Sequence, residues 1–266
     1  MISYIRDANK NWTVTFRLGK SFKAITFDVH HPQHDKIVEL LNGWTNANSD
    51  DERTRILNTL VRLHNVGSAI HDWSDGNFCV KNDAVTYKNT PVDKSISDRI
   101  IDMISNGFNY KPMLRFLENL YNNPSNHSVT QLYKFLEHKS LPITEDGCFL
   151  AYKAVTRHCG TRIIVDNNGL TISDGDLVDI YTKCSYRNNP GDTPTMERCL
   201  VSDDFRVHCG AGLHVATLAY AQDYGNSESL IVIVKVNPAD VVSVPEDYGC
   251  QKVRCCKYEV LSVFKE

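Results

Sequence analysis

The chain has 266 residues, 42% of them hydrophobic, which is enough for a real core in one large domain or two smaller ones. A formal net charge of −3 supplies no broad basic face for duplex DNA, whose binding leans on many Lys and Arg meeting phosphates. No run of about 18 apolar residues is present to span a bilayer, and Met1-Ile2-Ser3-Tyr4 opens no signal peptide because an apolar h-region is missing, so the expected home is a cytoplasm.

Trp12, Val14 and Phe16 alternate with Thr13, Thr15 and Arg17, and Leu18-Gly19-Lys20-Ser21 turns the chain into Phe22–Phe27, which predicts a hairpin. His30, His31 and His34 then flank Pro32. They are metal-ligand types, but with no Cys beside them the plainer reading is an exposed helix turn, and no metal is predicted. Ile37, Leu40, Leu41 and Trp44 share one helical face, and Ile56, Leu57, Leu60, Val61 and Leu63 share another between Arg53 and His64. Asn77–Tyr87 reads as a second hairpin turning at Asn82-Asp83. Residues 1–110 are therefore expected to form a small mixed α and β module without chemistry of its own.

Three helical segments follow. Ser95 or Ser97 is expected to cap the first, which carries Ile96, Ile100, Ile101 and Ile104 and ends at Gly107. Pro112 opens the second, with Met113, Leu114, Phe116, Leu117 and Leu120 on its apolar face. Ser128 is expected to cap the third, with Leu132, Tyr133, Phe135 and Leu136 turned inward. The helices of 111–140 are read as a collar between two modules.

From Leu141 the character turns to β, and 141–266 is expected to be a β-rich domain, mostly antiparallel. Cys148–Val155 predicts a strand that puts Lys153 on the face of Phe149 and Ala151. Such a lysine either snorkels to water, the default, or meets an anion in a cleft. Residues 160–206 read as loop-rich. Then comes the most site-like stretch, Val207-His208-Cys209-Gly210-Ala211-Gly212-Leu213-His214. Two glycines two apart allow a tight backbone with room for a ligand against the main chain. A short helix capped by Thr217 and stopped by Gly225 should follow, with Tyr224 in its last turn, and Leu230–Val236 predicts a strand buried on both faces. His208, Gly210, Gly212, Leu213, His214 and Tyr224 are the candidate ligand-binding residues. Val241–Val244 and Val253–Leu261 complete the strands, the last placing Lys257 and Glu259 on one face. The fold class expected is α+β.

Nine cysteines include no C-x-x-C pair, so neither a zinc site nor a disulfide framework is predicted. Reduced thiols acting as small buried hydrophobes fit better.

Several ordered blocks resemble a family of bacteriophage proteins, the rIIB-like proteins. They include Arg115–Leu120 with Asn123-Pro124-Ser125, Leu132–Glu137, Pro142–Gly147 with Leu150–Lys153, Asn189–Asp192, Gly212–Val215, Val234–Pro245 and Arg254–Val260. The resemblance implies an accessory protein made during infection, in the cytoplasm of the infected bacterium, linked to protecting that cell from exclusion or premature lysis set off by a resident prophage. It implies no known reaction.

A weaker resemblance concerns mechanism. Gly210–Ala216, with Ala221 and Tyr224 behind it, is similar to the G-x-G segment and following helix of the ADP-ribosyltransferase fold, and Tyr258–Leu261 to the strand that carries that fold's glutamate. The resemblance implies NAD as cofactor, Glu259 as the catalytic carboxylate, and Tyr152, Lys153 or His214 as NAD-holding residues. Tyr152 and Lys153 stand where transferases hold a His or Arg, and His214 where a tyrosine commonly stacks. A cleft that binds a nucleotide without turning it over fits the same residues. Three functions stay open: non-catalytic binding of a host protein or a nucleotide signal, ADP-ribosyl transfer to a host target, and a structural or assembly role.

Overall fold

The alternation of Trp12, Val14 and Thr13 along β2 (Trp12–Leu18) builds a meander with β1 (Ile2–Arg6) and β3 (Ser21–Phe27). Val14 stands opposite Ile25 and both are buried, while on the other face the hydroxyls of Thr13 and Thr26 meet at 3.1 Å. The computed structural model describes residues 2–6, 12–18, 21–27, 34–74, 76–81, 84–105, 108–138 and 142–265. The turns expected at Gly19-Lys20 and Asn82-Asp83, the histidines His30 and His31, the helix stop Gly107, and Leu141 lie outside them.

Helices α1 (His34–Asn46) and α2 (Asp50–Trp73) lay Ile37, Leu41, Leu57 and Leu60 onto the meander. Next come β4 (Phe78–Lys81), β5 (Ala84–Tyr87) and β6 (Thr90–Pro91), a second antiparallel sheet, and α3 (Lys94–Ser105). The cap of α3 differs from expectation. Asp93 accepts from the backbone N–H groups of Ser95 and Ile96, which frees Ser97 to accept from Val85 N at 2.7 Å and tie the helix to β5. A carboxylate at that position also faces the positive end of the helix.

The chain folds as two compact units, Met1–Tyr110 and Lys111–Glu266. The two helices read as a collar, α4 (Lys111–Tyr121) and α5 (Asn126–His138), fall in the second unit. Met113, Leu114, Phe116, Leu117 and Leu120 are the buried face of α4, as the spacing predicts. At α5 the cap is Ser125, whose hydroxyl accepts from Ser128 N, and Ser128 donates instead to Val242 O at 2.6 Å.

The second unit is organised by β7 (Phe149–Arg157), followed by β8 (Ile164–Val165), β9 (Thr171–Ile172), β10 (Leu177–Asp179), β11 (Lys183–Arg187) and β12 (Leu213–Ala216). After α6 (Leu218–Tyr224) come β13 (Leu230–Val236), β14 (Val241–Ser243), β15 (Lys252–Cys255) and β16 (Glu259–Val263). One edge of β7 pairs antiparallel with β13 from Phe149↔Val236 to Val155↔Leu230; the other is shared by β10 and β12. Val232, Val234 and Val236 are fully buried while Ile231, Ile233 and Lys235 are half-buried, so β13 is sealed on one face and not on both. The single strand expected over Val253–Leu261 is two strands, broken at Lys257, which bridges to Thr195.

The edge strand β14 is covered by the helices. Asn123 Nδ2 donates to Pro238 O and Val241 O, Ser128 to Val242 O, and Gln131 Oε1 accepts from Val244 N at 2.7 Å. Backbone groups that an open edge would leave unpaired are thereby satisfied by side chains. Side chains settle Asn189–Asp192 in the same way, where the Asp192 carboxylate takes both arms of the Arg187 guanidinium at 2.7 and 2.8 Å.

Candidate functional site

Register decides which polar side chains meet. Residues directly opposite across a strand pair share a face, and the diagonal neighbours lie within reach of long side chains. Asp179 stands opposite Val155, and Lys153 is two residues along the same face of β7. Their charges meet at 2.7 Å, and Lys153 Nζ also donates to His214 O at 3.3 Å and lies 5.8 Å from the Tyr258 ring. The lysine therefore does not snorkel to water. It meets an anion, and that anion belongs to the chain itself.

On β15, Val253 and Cys255 face the core, and Lys252 and Arg254 alternate onto the opposite face, opposite Ala216 and His214 of β12. Arg254 is 0% exposed. Its guanidinium donates to Asp204 O at 3.0 Å, Ser243 Oγ at 3.2 Å, Ser202 O at 3.4 Å and Val207 O, and its Nε to His214 Nε2 at 3.4 Å. The loop 202–207 thus wraps its carbonyls around a buried cation with no carboxylate among these acceptors. Burial pushes the guanidinium down from its ordinary value. Lys252 is anchored by Asp247 at 2.7 Å and by His208 O at 2.7 Å, with His208 Nδ1 3.4 Å from the same carboxylate.

His214 sits between these cations. Burial first, then the charges of Lys153, Arg254 and Lys252, push the imidazole down to about 4, so it is neutral at neutral pH. Its Nε2 accepts from Arg254, which places the proton on Nδ1.

The glycine turn takes a different meaning from the one its spacing suggests. A Cβ at Gly210 would stand 2.7 Å from the Ser202 side chain and 3.0 Å from the Arg254 guanidinium carbon. At Gly212, φ is +147° and a Cβ would stand 2.9 Å from Val201. The glycines let the loop close on Arg254; the room expected for a ligand holds the protein's own side chains. Leu213 is a core residue opposite Cys255.

Other candidates lie apart. Glu259 pairs with Lys235 at 2.8 Å, and Lys235 also reaches Asp146 at 3.2 Å. Glu259 is on β16, across β13 from one edge of β7, while β12 meets the opposite edge at Ala216↔Tyr152. Three strand spacings, roughly 14 Å in all, separate its strand from that of His214. Tyr152 packs edge-on against Phe264 at 5.7 Å. Tyr224 is 46% exposed and belongs to an aromatic group, edge-on to Tyr181 at 5.3 Å and stacked on Tyr220 at 6.0 Å. Spacing alone does not single out Arg254, Lys252, Asp247, Asp179 or Tyr181; the alternation Lys252-Val253-Arg254-Cys255 is the available sign that two cations share one strand face.

The nine cysteines are free thiols, and burial pushes Cys148 up to about 11. Among the described residues no group of three or more His, Cys, Asp or Glu is placed to hold a metal ion. Nor is any helix among them long and apolar enough to cross a membrane.

The family model described as "Bacteriophage T4 protein rIIB" matches residues 76–265. The chain belongs to the T4 rIIB family. It is 32% identical over 238 residues to "Protein rIIB" of Enterobacteria phage T4, covering 90% of this chain and 68% of that relative. No solved structure matches. Within this rIIB-family chain the matched span takes in β4 to β16 and so includes Lys153, His214, Arg254 and the tyrosine group.

Proposed function

We propose that this rIIB-family protein is a phage accessory factor made during infection, working in the cytoplasm of the infected bacterium, and that it protects the infection against host or prophage exclusion by binding rather than by catalysis. Its ligand is a host protein or a nucleotide signal taken up by the second unit. One observation carries the choice of binding over chemistry: the groups a transfer reaction would use are each committed within the chain. Lys153 is held by Asp179 at 2.7 Å, Glu259 by Lys235 at 2.8 Å, and His214 lies neutral against Arg254. A developing oxocarbenium charge needs a carboxylate close by, and Glu259 stands some three strands from the glycine turn.

The test is label transfer from NAD to host extract by the purified chain, with Glu259→Gln beside it. No transfer is the expected result; transfer that vanishes in Glu259→Gln overturns the reading. A melting screen with NAD, ADP-ribose, ATP and cyclic nucleotides then separates the two ligand classes, because a ligand at a hundred times its dissociation constant adds about 2.7 kcal/mol.

A further inference from the structure

Resting on the reading of a binding protein, we infer that the tyrosine group of Tyr181, Tyr220 and Tyr224 is its docking surface, and that the partner presents a basic, arginine- or lysine-bearing segment. The three rings come from two elements, the turn after β10 and the outer face of α6, and stand together at centroid distances of 5.3 and 6.0 Å. Tyr181 is 73% exposed and Tyr224 46%. Large aromatic rings left at the surface are costly to hydrate. Tyrosine suits interfaces because it offers much contact area for few rotatable bonds.

Charge chooses among partners. Residues 218–229 carry Asp223 and Glu228, both exposed, and no Lys, Arg or His. Asp223 lies three residues from Tyr220 on α6, the spacing of neighbours on a helix surface. The protein itself shows what these rings accept, since the Lys252 ammonium lies 5.8 Å from the centroid of Tyr220. A nucleotide stacked on the same tyrosines would also need cations for its phosphates. Among the described side chains, the cations of the adjoining strands are buried and already engaged, Lys153 with Asp179, Lys252 with Asp247, and Arg254 with loop carbonyls. A cationic side chain laid on the ring faces, with its charge toward Asp223, uses what the surface offers.

The full chain should be titrated by fluorescence anisotropy with a labelled peptide of alternating Arg and Gly, and with the same peptide carrying Gln for Arg. Saturable binding of the Arg peptide alone is expected. Tyr181→Ala with Tyr224→Ala should weaken it about tenfold or more, Asp223→Asn about threefold, and Tyr224→Phe, which keeps the ring face, by less than about twofold. Asp50→Asn with Asp51→Asn, on the first turn of α2, should leave it unchanged and so excludes unspecific attraction. Equal binding of the Gln peptide, absence of binding, or indifference to the double tyrosine substitution in a chain that melts like the wild type overturns the inference. The two readings fail separately: no peptide binding removes the basic partner alone, whereas Glu259-dependent label transfer removes the non-catalytic reading.

Discussion

In the first unit, the meander and helices α1 and α2 meet through Val14, Ile25, Ile37, Leu41, Leu57 and Leu60, and no charged side chain is among its described buried residues. The second unit has an apolar core of the same kind along Val232, Val234 and Phe149, yet on the opposite face of β15 it buries Arg254 and Lys252, and among its carboxylates Asp166 and Asp192. An apolar core asks for volume and tolerates exchange among similar shapes. A buried ion asks for particular partners at particular distances, and each member left alone is a large loss.

That contrast can be broken or sharpened by substitution. Arg254→Ala empties a buried site and takes from Val207 O its donor, while Ser202 O keeps Ser243 Oγ and Asp204 O keeps Val207 N, and urea unfolding should show a loss of about 3–5 kcal/mol. A loss below about 1 kcal/mol would mean that water replaces the guanidinium freely.

The next effect is one of pH. His214 is held at about 4 against an ordinary 6.5, so between these values the unfolded chain binds the proton and the folded one does not. The stability His214 allows is complete above pH 6.5 and is lost as pH falls toward 4, by about 2 kcal/mol at pH 5. Unfolding midpoints of wild type and His214→Gln measured across that window should converge as pH falls; parallel curves would show a solvated imidazole.

In the first unit Leu60→Met keeps shape and volume and should cost less than about 1.5 kcal/mol, although Leu60 is fully buried. A larger cost would place specificity in that core as well. Smallest of all should be Lys235→Met, which opens a partly exposed pair with Glu259 and should change stability to urea by less than about 1 kcal/mol.

Local chemistry was legible where a residue's role depends on its near neighbours. Thr217 caps α6 by accepting from Tyr220 N and Gly225 closes it, as read from the residues alone, and the apolar face of α4 follows its spacing. Caps failed where a distant group competed: Ser97 and Ser128 looked like caps but serve Val85 N and Val242 O, reached only through the tertiary fold. The same limit hid the ion pairs. Nothing in the spacing between Lys153 and Asp179 says that β10 will lie beside β7 in that register. The glycines announced a tight turn, but the room expected there for a ligand is filled, and Arg254, more than forty residues away, is among the side chains that fill it. Exposed tyrosines carry no periodic signal, because surface positions are not constrained by packing.

The placement of β7 has a consequence for a chain that has been cut. Residues 161–163, just past its end, are exposed, as a protease requires. A break there puts β7 on one piece and β10, β12 and β13, the strands it pairs with, on the other. Asn123, between α4 and α5, and Ser128 and Gln131 of α5 likewise bind the far piece at 238–244. A nicked molecule therefore stays whole, and the two pieces made separately form a split protein whose sheet is completed only when they meet.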